Sequence, residues 1–592
     1  MRVMCRNGPR LSPVSSGPMR PLLPPYDAIA AGRPARIGLS GTTLLSNRLF
    51  TKDFAFPEDE RDAFDLRGLL PDRVMTIEEQ VALEMERLHR KDDPLERYIG
   101  LAALQDRNAT LFYRVLAEHL EELLPIVYTP TVGRACQEFS HVLRRTRGAW
   151  ITPRDRDRIP DILRNGPYDD VRLIVVTDNE RILGLGDLGA GGMAIPIGKL
   201  ALYTGACGIY PGLTLPVSLD VGTDNPDLLA DPLYIGHREP RLRGEAYDDL
   251  VDAFVAGVQE VWPGCVIQWE DFKHYNALRI LDRYRARVPS FNDDVQGTAA
   301  VVVAGILAGI RHLDTPIEAQ RILLVGAGAA GIGIARLIRA ALIEVGVPEA
   351  DIPAMLALLD TQGLVHDRRD DLHPTKRAHA LPAAMTHAAG LDLADTDDPA
   401  AVVAAWRPTV LVGTTGVPGT FTEPMIRAMA AGTARPIILP LSNPTANTEA
   451  RPIDLLRWTD GRALIATGSP FGSVEHEGRT VEIGQANNVF VFPGVGLGAI
   501  VSEATRITDR MILAAARTLA DATTPDRLAA GALYPPIPGL REVSRAIAGA
   551  VARQAIRDGV ATERSDDELD SAIAAAMWWP DYVPYVRDTP TL

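Results

Sequence analysis

Acidic side chains gather at two places in the chain where they could hold a hard divalent cation. Glu270 and Asp271 end the segment 266–271, which is predicted to be a buried strand, and Asp294 ends the run 291–294. Ligands of parallel sheets bind at the carboxyl ends of the strands, so these three carboxylates are expected to meet. Their oxygens suit Mg²⁺ or Mn²⁺ and leave coordination positions for substrate and water. Asx residues also cap helices, and one of residues 292–294 is expected to do so.

The segment that follows has the pattern of a dinucleotide-binding site. A helix is predicted over 332–343, and a buried strand at 322–325 leads into the loop Gly326-Ala327-Gly328-Ala329-Ala330-Gly331. Such a loop lets the backbone approach a pyrophosphate closely. The next strand, 355–359, ends at Asp360, which could hold a ribose hydroxyl although it lies further from the loop than the usual ~20 residues. A metal site and a nicotinamide site this close predict one reaction that uses both.

Lys199 lies in the apolar segment 195–203, where a surface lysine would not be expected. The chain has only five lysines, which are Lys52, Lys91, Lys199, Lys273 and Lys376. A desolvated lysine has a lowered pKa and can act as a general base. The alternative is a lysine at a helix end whose long side chain reaches water.

Tyr128 lies in a segment that is predicted to be a fixed turn rather than a helix. Pro125 and Pro130 flank it, and Gly133 follows. On this segment alone, the favoured interpretation is a core tyrosine whose hydroxyl bonds to the backbone.

The elements that must position these residues begin with a helical region between Asp53 and Arg147. The helical periodicity predicts helices at 77–85, behind the cap Thr76, at 95–104 and at 108–123. Downstream, the apolar runs predict strands at 171–177, 213–219, 266–269, 410–413 and 437–441. Pro216 places the second of these at a sheet edge or a bulge. The last hundred residues are mainly Ala-rich helices. The predicted fold class is α/β, with a helical N-terminal region, an α/β substrate and metal domain, and a Rossmann-like, doubly wound domain.

Composition excludes several classes of protein. At 592 residues the chain is too long for one core. Its net charge of −15 argues against non-specific nucleic-acid binding. No apolar run approaches the roughly 20 residues of a spanning helix, so no membrane partner is expected. The four cysteines are scattered without a C-x-x-C pair, which fits a reducing compartment.

The start of the chain predicts a disordered tail or an over-extended start site rather than a targeting segment. Residues 1–26 contain no Asp or Glu and many prolines, which break any amphipathic transit helix. A cytoplasmic location follows. The expected organisation is a disordered tail over 1–40, a catalytic and metal domain over 41–295, a nucleotide domain over 296–554 and a helical C-terminal segment over 555–592.

Taken together, ordered motifs over roughly residues 40–585 resemble the malic enzyme family. The matching segments are 128–133, 177–199, 269–272, 291–300, 326–331, 441–445, 468–471 and 487–494. So many motifs in order are specific, and they overturn the alternative interpretations of Tyr128 and Lys199.

The resemblance implies a role for each matching residue. Tyr128 would be the general acid and Lys199 the general base, while Arg181 would bind a malate carboxylate and lie near the cofactor. Asn443 and Asn487 would contact substrate, and Asn443 also the nicotinamide. The implied metal ligands are Glu270, Asp271 and Asp294, with Asp293 beside them. The implied nucleotide contacts, besides Arg181 and Asn443, are Gly326, Ala327, Gly328, Ala329, Gly331 and Asp360.

The implied reaction is oxidative decarboxylation of (S)-malate to pyruvate and CO₂ with NAD and Mg²⁺ or Mn²⁺. A malolactic enzyme, which retains NAD and yields lactate, is an alternative of the same family. A non-catalytic nucleotide-binding scaffold is the alternative of another class, but it would be expected to have lost Tyr128, Lys199 or a metal acid, and all are present.

A few further positions bear on cofactor choice and regulation within the family. NADP-preferring relatives tend to place a lysine where Gln362 stands, so NAD is expected, with NADP as the alternative because Arg368 and Arg369 follow closely. Arg107 matches one of two arginines of a fumarate site in animal mitochondrial relatives, and Leu83 stands at the other. The family implies a homodimer or homotetramer.

Overall fold

A computed structural model describes residues 23–166, 168–392 and 395–588. Within them the strands are β1 (Ala35–Ile37), β2 (Ala149–Ile151), β3 (Leu173–Thr177), β4 (Thr214–Leu219), β5 (Val266–Trp269), β6 (Ser290–Asn292), β7 (Ile322–Val325), β8 (Leu356–Asp360), β9 (Gly363–Leu364), β10 (Val410–Gly413), β11 (Ile437–Pro440), β12 (Leu464–Thr467), β13 (Ser473–His476), β14 (Arg479–Glu482), β15 (Gly484–Gln485) and β16 (Tyr585–Arg587).

The helices of the N-terminal half alternate with these strands after an initial helical region. They are α1 (Tyr26–Ala30), α2 (Gly41–Leu45), α3 (Glu58–Ala63), α4 (Ile77–His89), α5 (Pro94–Arg107), α6 (Ala109–Glu118), α7 (Leu120–Val127), α8 (Thr131–Gln137), α9 (Phe139–Val142), α10 (Ile159–Arg164), α11 (Ala194–Cys207), α12 (Pro226–Ala230), α13 (Gly244–Val261) and α14 (His274–Tyr284).

The helices of the C-terminal half alternate with strands and then follow one another. They are α15 (Thr298–His312), α16 (Ala329–Glu344), α17 (Pro374–Arg377), α18 (Ala383–Ala388), α19 (Pro399–Trp406), α20 (Glu423–Gly432), α21 (Pro452–Trp458), α22 (Phe492–Val501), α23 (Asp509–Asp521), α24 (Pro525–Ala529), α25 (Leu540–Arg557) and α26 (Asp566–Ala576).

The first large sheet is parallel and positions the acidic segments. Its strand order is β2-β4-β3-β5-β6, and β5 pairs in register with both β3 and β6. β4 is therefore an interior strand that pairs with β3 without interruption at Pro216, so neither the edge strand nor the bulge predicted from the proline is observed. The proline is tolerated because β2 begins opposite Val217, so β4 has only one partner at residue 216.

The second large sheet is the doubly wound nucleotide sheet. Its order is β15-β12-β11-β10-β7-β8-β9, and all neighbours are parallel except β8 and β9. Alternate residues of β7 enter two different cores: Ile322 and Leu324 pack in one, and Leu323 and Val325 in the other. The chain leaves β7 for β8 on one side and returns to β10 on the other. That reversal opens the crevice in which ligands of such sheets bind.

The N-terminal helices follow the predictions with one difference. Thr76 caps α4 in a capping box with Glu79, as the sequence indicated. The predicted helix over 108–123 is instead two helices, α6 and α7, and α7 continues through Pro125 to Val127. The proline removes one backbone donor from α7, and the helix ends at Val127 with Tyr128 as its C-terminal cap.

The two ends of the described chain meet. β1 and β16 form a two-stranded parallel sheet, with Ala35 opposite Tyr585. Residues 1–22 of the predicted tail lie outside the described residues, but the rest of that tail contains α1 and β1. The predicted disorder therefore does not extend over residues 26–37, because β16 supplies hydrogen-bond partners from the other end of the chain.

One helical stretch is long and apolar enough to span a membrane by length and composition. It runs from Asp293 to His312, and 83% of its most apolar window is buried inside the protein. The expectation that no apolar run reaches this length is thus wrong, and the burial identifies the stretch as a core helix. It packs against α16 and α23.

A buried ion pair in the N-terminal region contacts β16. The Nζ atom of Lys52 lies 2.6 Å from Oε2 of Glu60, and both side chains are almost fully buried. Glu60 also accepts a hydrogen bond from the backbone N–H of Tyr585, at 2.8 Å. The Lys52 ammonium lies 4.0 Å from the centroid of the Tyr585 ring.

Replacing Glu60 by Gln should lower the midpoint of thermal unfolding by several degrees, because it leaves a buried ammonium without its counter-charge, at a cost of about 3 kcal/mol. Differential scanning calorimetry measures the shift. Glu58→Gln is the matched control, since Glu58 pairs with Arg67 at the exposed surface of the same helix. Equal shifts in the two variants would contradict a role for the buried pair.

Candidate active site

Three carboxylates meet where the first sheet faces the second. Oxygen atoms of Glu270, Asp271 and Asp294 all lie within 4.8 Å of one another. Glu270 and Asp271 follow β5, and Asp294 follows β6, so the parallel pairing of these strands brings the three together. The structure thus places the predicted metal ligands side by side.

Local contacts orient the acids toward one another. Asp271 has a left-handed backbone conformation, with φ of 55°, which turns the chain directly after β5. Its Oδ1 atom accepts a hydrogen bond from the backbone N–H of Leu183, and its own N–H donates to Oδ2 of Asp294 at 2.8 Å. Glu270 accepts a bond of 2.7 Å from the side-chain amide of Gln268.

This donor set fits a divalent cation. Burial, together with the neighbouring carboxylates, raises the pKa values of Glu270 and Asp271 well above their usual range and that of Asp294 to about 6. The Oδ2 atom of Asp271 is buried and has no hydrogen-bond partner in the described chain. A dication would supply both the missing partner and the missing positive charge, and oxygen ligands are those that Mg²⁺ and Mn²⁺ prefer.

Asn292 is the helix cap among the three consecutive Asx residues. Its Oδ1 atom accepts a hydrogen bond of 2.9 Å from the backbone N–H of Val295. A single π-helical turn follows over Asp293–Gly297, a feature that is frequent at functional sites. Capping by Asn292 leaves the carboxylates of Asp293 and Asp294 available to the site.

Lys199 lies inside the acid cluster and not at a helix end. It occupies the first half of α11, is 1% exposed, and its Nζ atom lies 2.5 Å from Asp293 and 3.0 Å from Glu270. The snorkelling alternative is therefore wrong. Burial by itself lowers the pKa of Lys199, but the two carboxylates outweigh it and hold the pKa well above its usual value. The predicted lowering of the Lys199 pKa is wrong, because the sequence pattern indicated burial but not the two carboxylates that contact the ammonium.

Tyr128 stands beside Lys199. Its ring centroid lies 5.0 Å from the Nζ atom, and the ring of Phe492 lies on the same ammonium at 4.5 Å. The tyrosine is buried, and burial raises the pKa of its hydroxyl well above the usual value. That hydroxyl forms no hydrogen bond within the described part of the chain, so a backbone-bonded core tyrosine does not describe it.

Asn488 joins the cluster although the sequence interpretation chose its neighbour. Its amide Nδ2 atom donates to Oδ2 of Asp293 at 3.0 Å and to Oγ1 of Thr298 at 3.1 Å. The side-chain oxygen of Asn487 instead accepts the backbone N–H of Val489 and caps a short 3₁₀ helix. The sequence shows two adjacent asparagines before Phe492 but not which of them contacts Asp293. That difference is set by the backbone geometry of the short 3₁₀ helix.

Arg181 lies at the rim of this cluster. Its backbone N–H donates to the carbonyl of Asp271 at 3.2 Å, and its positive charge lowers the pKa values of Asp271 and Asp294. The guanidinium is exposed and has no ion pair with the described residues. It is thus free to bind an anionic ligand at the mouth of the site.

Asn443 approaches the same mouth from the second sheet, directly after β11. Its Oδ1 atom accepts a hydrogen bond of 2.5 Å from the hydroxyl of Ser469. A Cβ atom on Gly184 would come within 3.0 Å of the Asn443 carbonyl, so the segment that carries Arg181 passes close to this loop. The two sheets thus contribute to one cleft.

The glycine loop has the geometry of a phosphate cradle. Gly326 has φ of 113°, and a Cβ atom on Gly331 would lie 1.9 Å from the Gly326 carbonyl, so the tight turn requires both glycines. Gly328 caps α16 without a side-chain hydrogen bond, and a Cβ atom there would meet open space. The first N–H groups of α16 are left for an anionic ligand.

Asp360 ends β8 next to this loop, as predicted. Its carboxylate accepts bonds from Arg369 at 2.8 and 3.2 Å, from Lys376 at 2.5 Å and from the backbone N–H of Gln362 at 2.9 Å. Although burial alone would raise it, these donors lower the pKa of Asp360. The acid is therefore ionised and held in place at the position expected for a ribose.

Arg107, the residue that matches one effector arginine, is bound by its own chain. It lies 3.2 Å from Asp53 and 2.7 Å from Glu84. Leu83, at the other matching position, brings no cation. Arg107 therefore already has two carboxylate partners in this fold.

Comparison with protein families identifies two matching regions. Residues 295–556 match the model described as malic enzyme, NAD binding domain, and residues 105–285 match malic enzyme, N-terminal domain. The chain is 45% identical over 555 residues to the NAD-dependent malic enzyme of Aeromonas salmonicida (strain A449), covering 94% of this chain and 98% of that protein. It is 48% identical, with the same coverage, to the NAD-dependent malic enzyme of Sodalis glossinidius (strain morsitans).

Solved structures with the same fold are also found. The malic enzyme of Entamoeba histolytica aligns with a TM-score of 0.54 and 24% identity, covering 87% of this chain and 91% of that one. The malic enzyme of Pyrococcus horikoshii Ot3 aligns with a TM-score of 0.52 and 24% identity, covering 77% and 89%. These similarities concern the fold, and they agree with the α/β architecture and the nucleotide sheet described above.

Replacing Asp294 by Asn should weaken Mn²⁺ binding by about tenfold or more, because one of three anionic ligands is lost. Isothermal titration calorimetry on the purified protein measures the dissociation constant. Asp161→Asn, which alters an exposed acid on α10, serves as the control and should bind Mn²⁺ like the unaltered chain. An unchanged titration in the Asp294 variant would remove this residue from the ligand set.

Proposed function

The chain belongs to the malic enzyme family, and we propose that it oxidatively decarboxylates (S)-malate to pyruvate and CO₂ with reduction of NAD. The observation that carries this proposal is the identity of 45% to 48%, over 94% of the chain, to relatives named NAD-dependent malic enzymes. The cofactors are NAD and a divalent cation, and the substrate is malate.

Arg181 and the asparagines bind the substrate in this proposal. The exposed guanidinium of Arg181, which has no ion pair with the described residues, offers a planar fork for a malate carboxylate. Asn443 and Asn487 contact malate, and Asn443 also the nicotinamide. Asn488 positions Asp293, to which it donates a hydrogen bond.

Lys199 is the general base of the oxidation. It takes the proton of the C2 hydroxyl as the hydride leaves C2, and NAD held at the glycine loop and Asp360 would supply the hydride acceptor. The role requires Lys199 to be neutral when malate binds. Glu270 is one of its two carboxylate partners and also one of the three proposed metal ligands. The net charge of the acid cluster and the protonation state of Lys199 are therefore linked.

Decarboxylation follows at the same place. A divalent cation held by Glu270, Asp271 and Asp294 supplies Lewis acidity when bound. The C3–C4 bond breaks, CO₂ leaves, and its bonding electrons form an enolate over C2 and C3. Tyr128 donates a proton to C3 to give pyruvate, and its closeness to Lys199 supports recovery of that proton from the lysine.

We also propose the organisation and setting of the enzyme. We propose a catalytic and metal domain over 41–295 and a nucleotide domain over 296–554, and the family matches over 105–285 and 295–556 support a division between them. A homodimer or homotetramer follows the family resemblance. Cys136, Cys207 and Cys265 are buried free thiols, which supports a cytoplasmic location.

The absorbance of reduced nicotinamide tests the reaction. Purified protein with (S)-malate and Mn²⁺ should reduce added NAD faster than NADP, and pyruvate should accumulate. Lactate without a net absorbance change would mean the malolactic reaction instead, and no product with either nucleotide would contradict the proposed function.

Lys199→Ala should lower kcat with malate by about 10³-fold, within the range expected for a general base, and Tyr128→Phe should lower it by a similar factor. NAD binding by calorimetry should stay close to that of the unaltered chain, because neither residue lies at the glycine loop. Lys91→Ala, a change of a partly exposed lysine that pairs with Glu96, is the control and should turn over normally. Normal turnover of the Lys199 variant would refute the base assignment.

A further inference from the structure

Every donor of one arginine beside the expected ribose site is already used. Arg369 donates through Nη1 and Nη2 to the two oxygens of Asp360, and through Nε and Nη2 to the two oxygens of Asp371, at 2.6 to 3.2 Å. The remaining Nη1 hydrogen faces the backbone carbonyls of Gly363 and Leu364 at 3.4 Å. A guanidinium has five N–H donors, so no donor is left for another anion.

Asp371 differs from Asp360 in its exposure and in its ion-pair partners. Asp360 is almost fully buried at the end of β8, where a nucleotide ribose is expected, whereas 55% of the Asp371 side chain is exposed. Asp371 has no other ion-pair partner among the described residues. Its side-chain hydrogen bonds within the described residues are to Arg369, and its negative charge offsets the positive charge that Arg369 would otherwise add.

The charge balance around Asp360 bears on the choice of nucleotide. A 2′-phosphate adds negative charge and acceptor oxygens where a plain ribose offers a hydroxyl, so NADP needs a cation with free donors at this position. Arg369 has the right location but carries two carboxylates. Lys376 is the second cation on Asp360, and its side chain is more exposed than that of Arg369, at 23% against 10%.

We infer that Asp371 is a specificity-determining residue: by occupying the Nε–Nη2 edge of Arg369, next to the edge that binds Asp360, it withholds that guanidinium from a 2′-phosphate and favours NAD over NADP. Arg369 is thereby reserved for holding Asp360 in the orientation that receives the ribose hydroxyls. This inference rests on the proposed NAD-dependent function, but it concerns nucleotide binding and can be measured without malate.

Binding of NAD and NADP to the full-length chain, measured by isothermal titration calorimetry without malate, tests the inference. Asp371→Asn keeps the shape of the side chain and removes its charge. The dissociation constant for NADP should fall about tenfold, the effect of freeing one partly screened cation, and that for NAD should change by less than about twofold. An unchanged NADP constant overturns the inference.

The chain offers a matched control one residue away. Asp370 is exposed and forms no hydrogen bond or ion pair with the described residues, so Asp370→Asn makes the same change in net charge without touching Arg369. It should leave the ratio of the NADP and NAD constants within about twofold of the unaltered value. An equal gain in both variants would assign the effect to the general field and would refute a specific role for Asp371.

A double variant identifies the cation. In Asp371→Asn combined with Arg369→Gln, the gain in NADP binding should disappear. If the gain persists, the responsible cation is Lys376 or Arg368, and the inference fails. Turnover of the unaltered chain with malate and NAD is measured in parallel, so that failure of the proposed function is seen separately from failure of the specificity argument.

Discussion

Burial of like charges is the constraint on which the active site depends. Glu270, Asp271 and Asp293 are buried in one cleft with the partly exposed Asp294 beside them, and Lys199 brings the only buried ammonium that contacts this cluster in the described chain. Four carboxylates and one ammonium leave an excess of negative charge in a place with little water, which is costly unless it is neutralised. The raised pKa values of Glu270, Asp271 and Asp294 express that cost, and a bound dication would relieve it.

The scaffold around this charge is correspondingly rigid. Parallel pairing of β5 with β6 fixes the distance between Glu270 and Asp294, and capping by Asn292 aims the next two carboxylates into the cleft. Lys199 is part of α11, and this helix packs on β3 and β4. The second sheet adds Asn443 and Asn488 from the other side. The carboxylates, Lys199 and the two asparagines therefore each have a partner that sets their direction before any ligand arrives, whereas the Tyr128 hydroxyl and the Arg181 guanidinium have no hydrogen-bond or ion-pair partner within the described residues.

Much of this arrangement could be predicted from residue types and their order. Acids that follow buried strands indicated the carboxylate cluster, the glycine loop with its strand and helix indicated the nucleotide-binding fold, and Thr76 indicated the start of α4. The failures have a common cause, which is that distant partners are not visible in a local pattern. Lys199 was expected to be desolvated and neutral, yet Asp293, 94 residues away in the chain, keeps it charged. Pro216 was expected at an edge or a bulge, but it lies in an interior strand. The short β2 pairs with β4 only from Val217 onward, so β4 has a single partner strand at residue 216.

The contact between β1 and β16 has a consequence for how the chain is made. Ala35 pairs with Tyr585, so 550 residues (585 minus 35) separate two strands that share hydrogen bonds. During synthesis β1 leaves the ribosome 550 residues before its partner strand, at roughly 5–20 residues per second. This small sheet can therefore close only after β16 has emerged, and β1 lacks this partner while everything between the two strands is made.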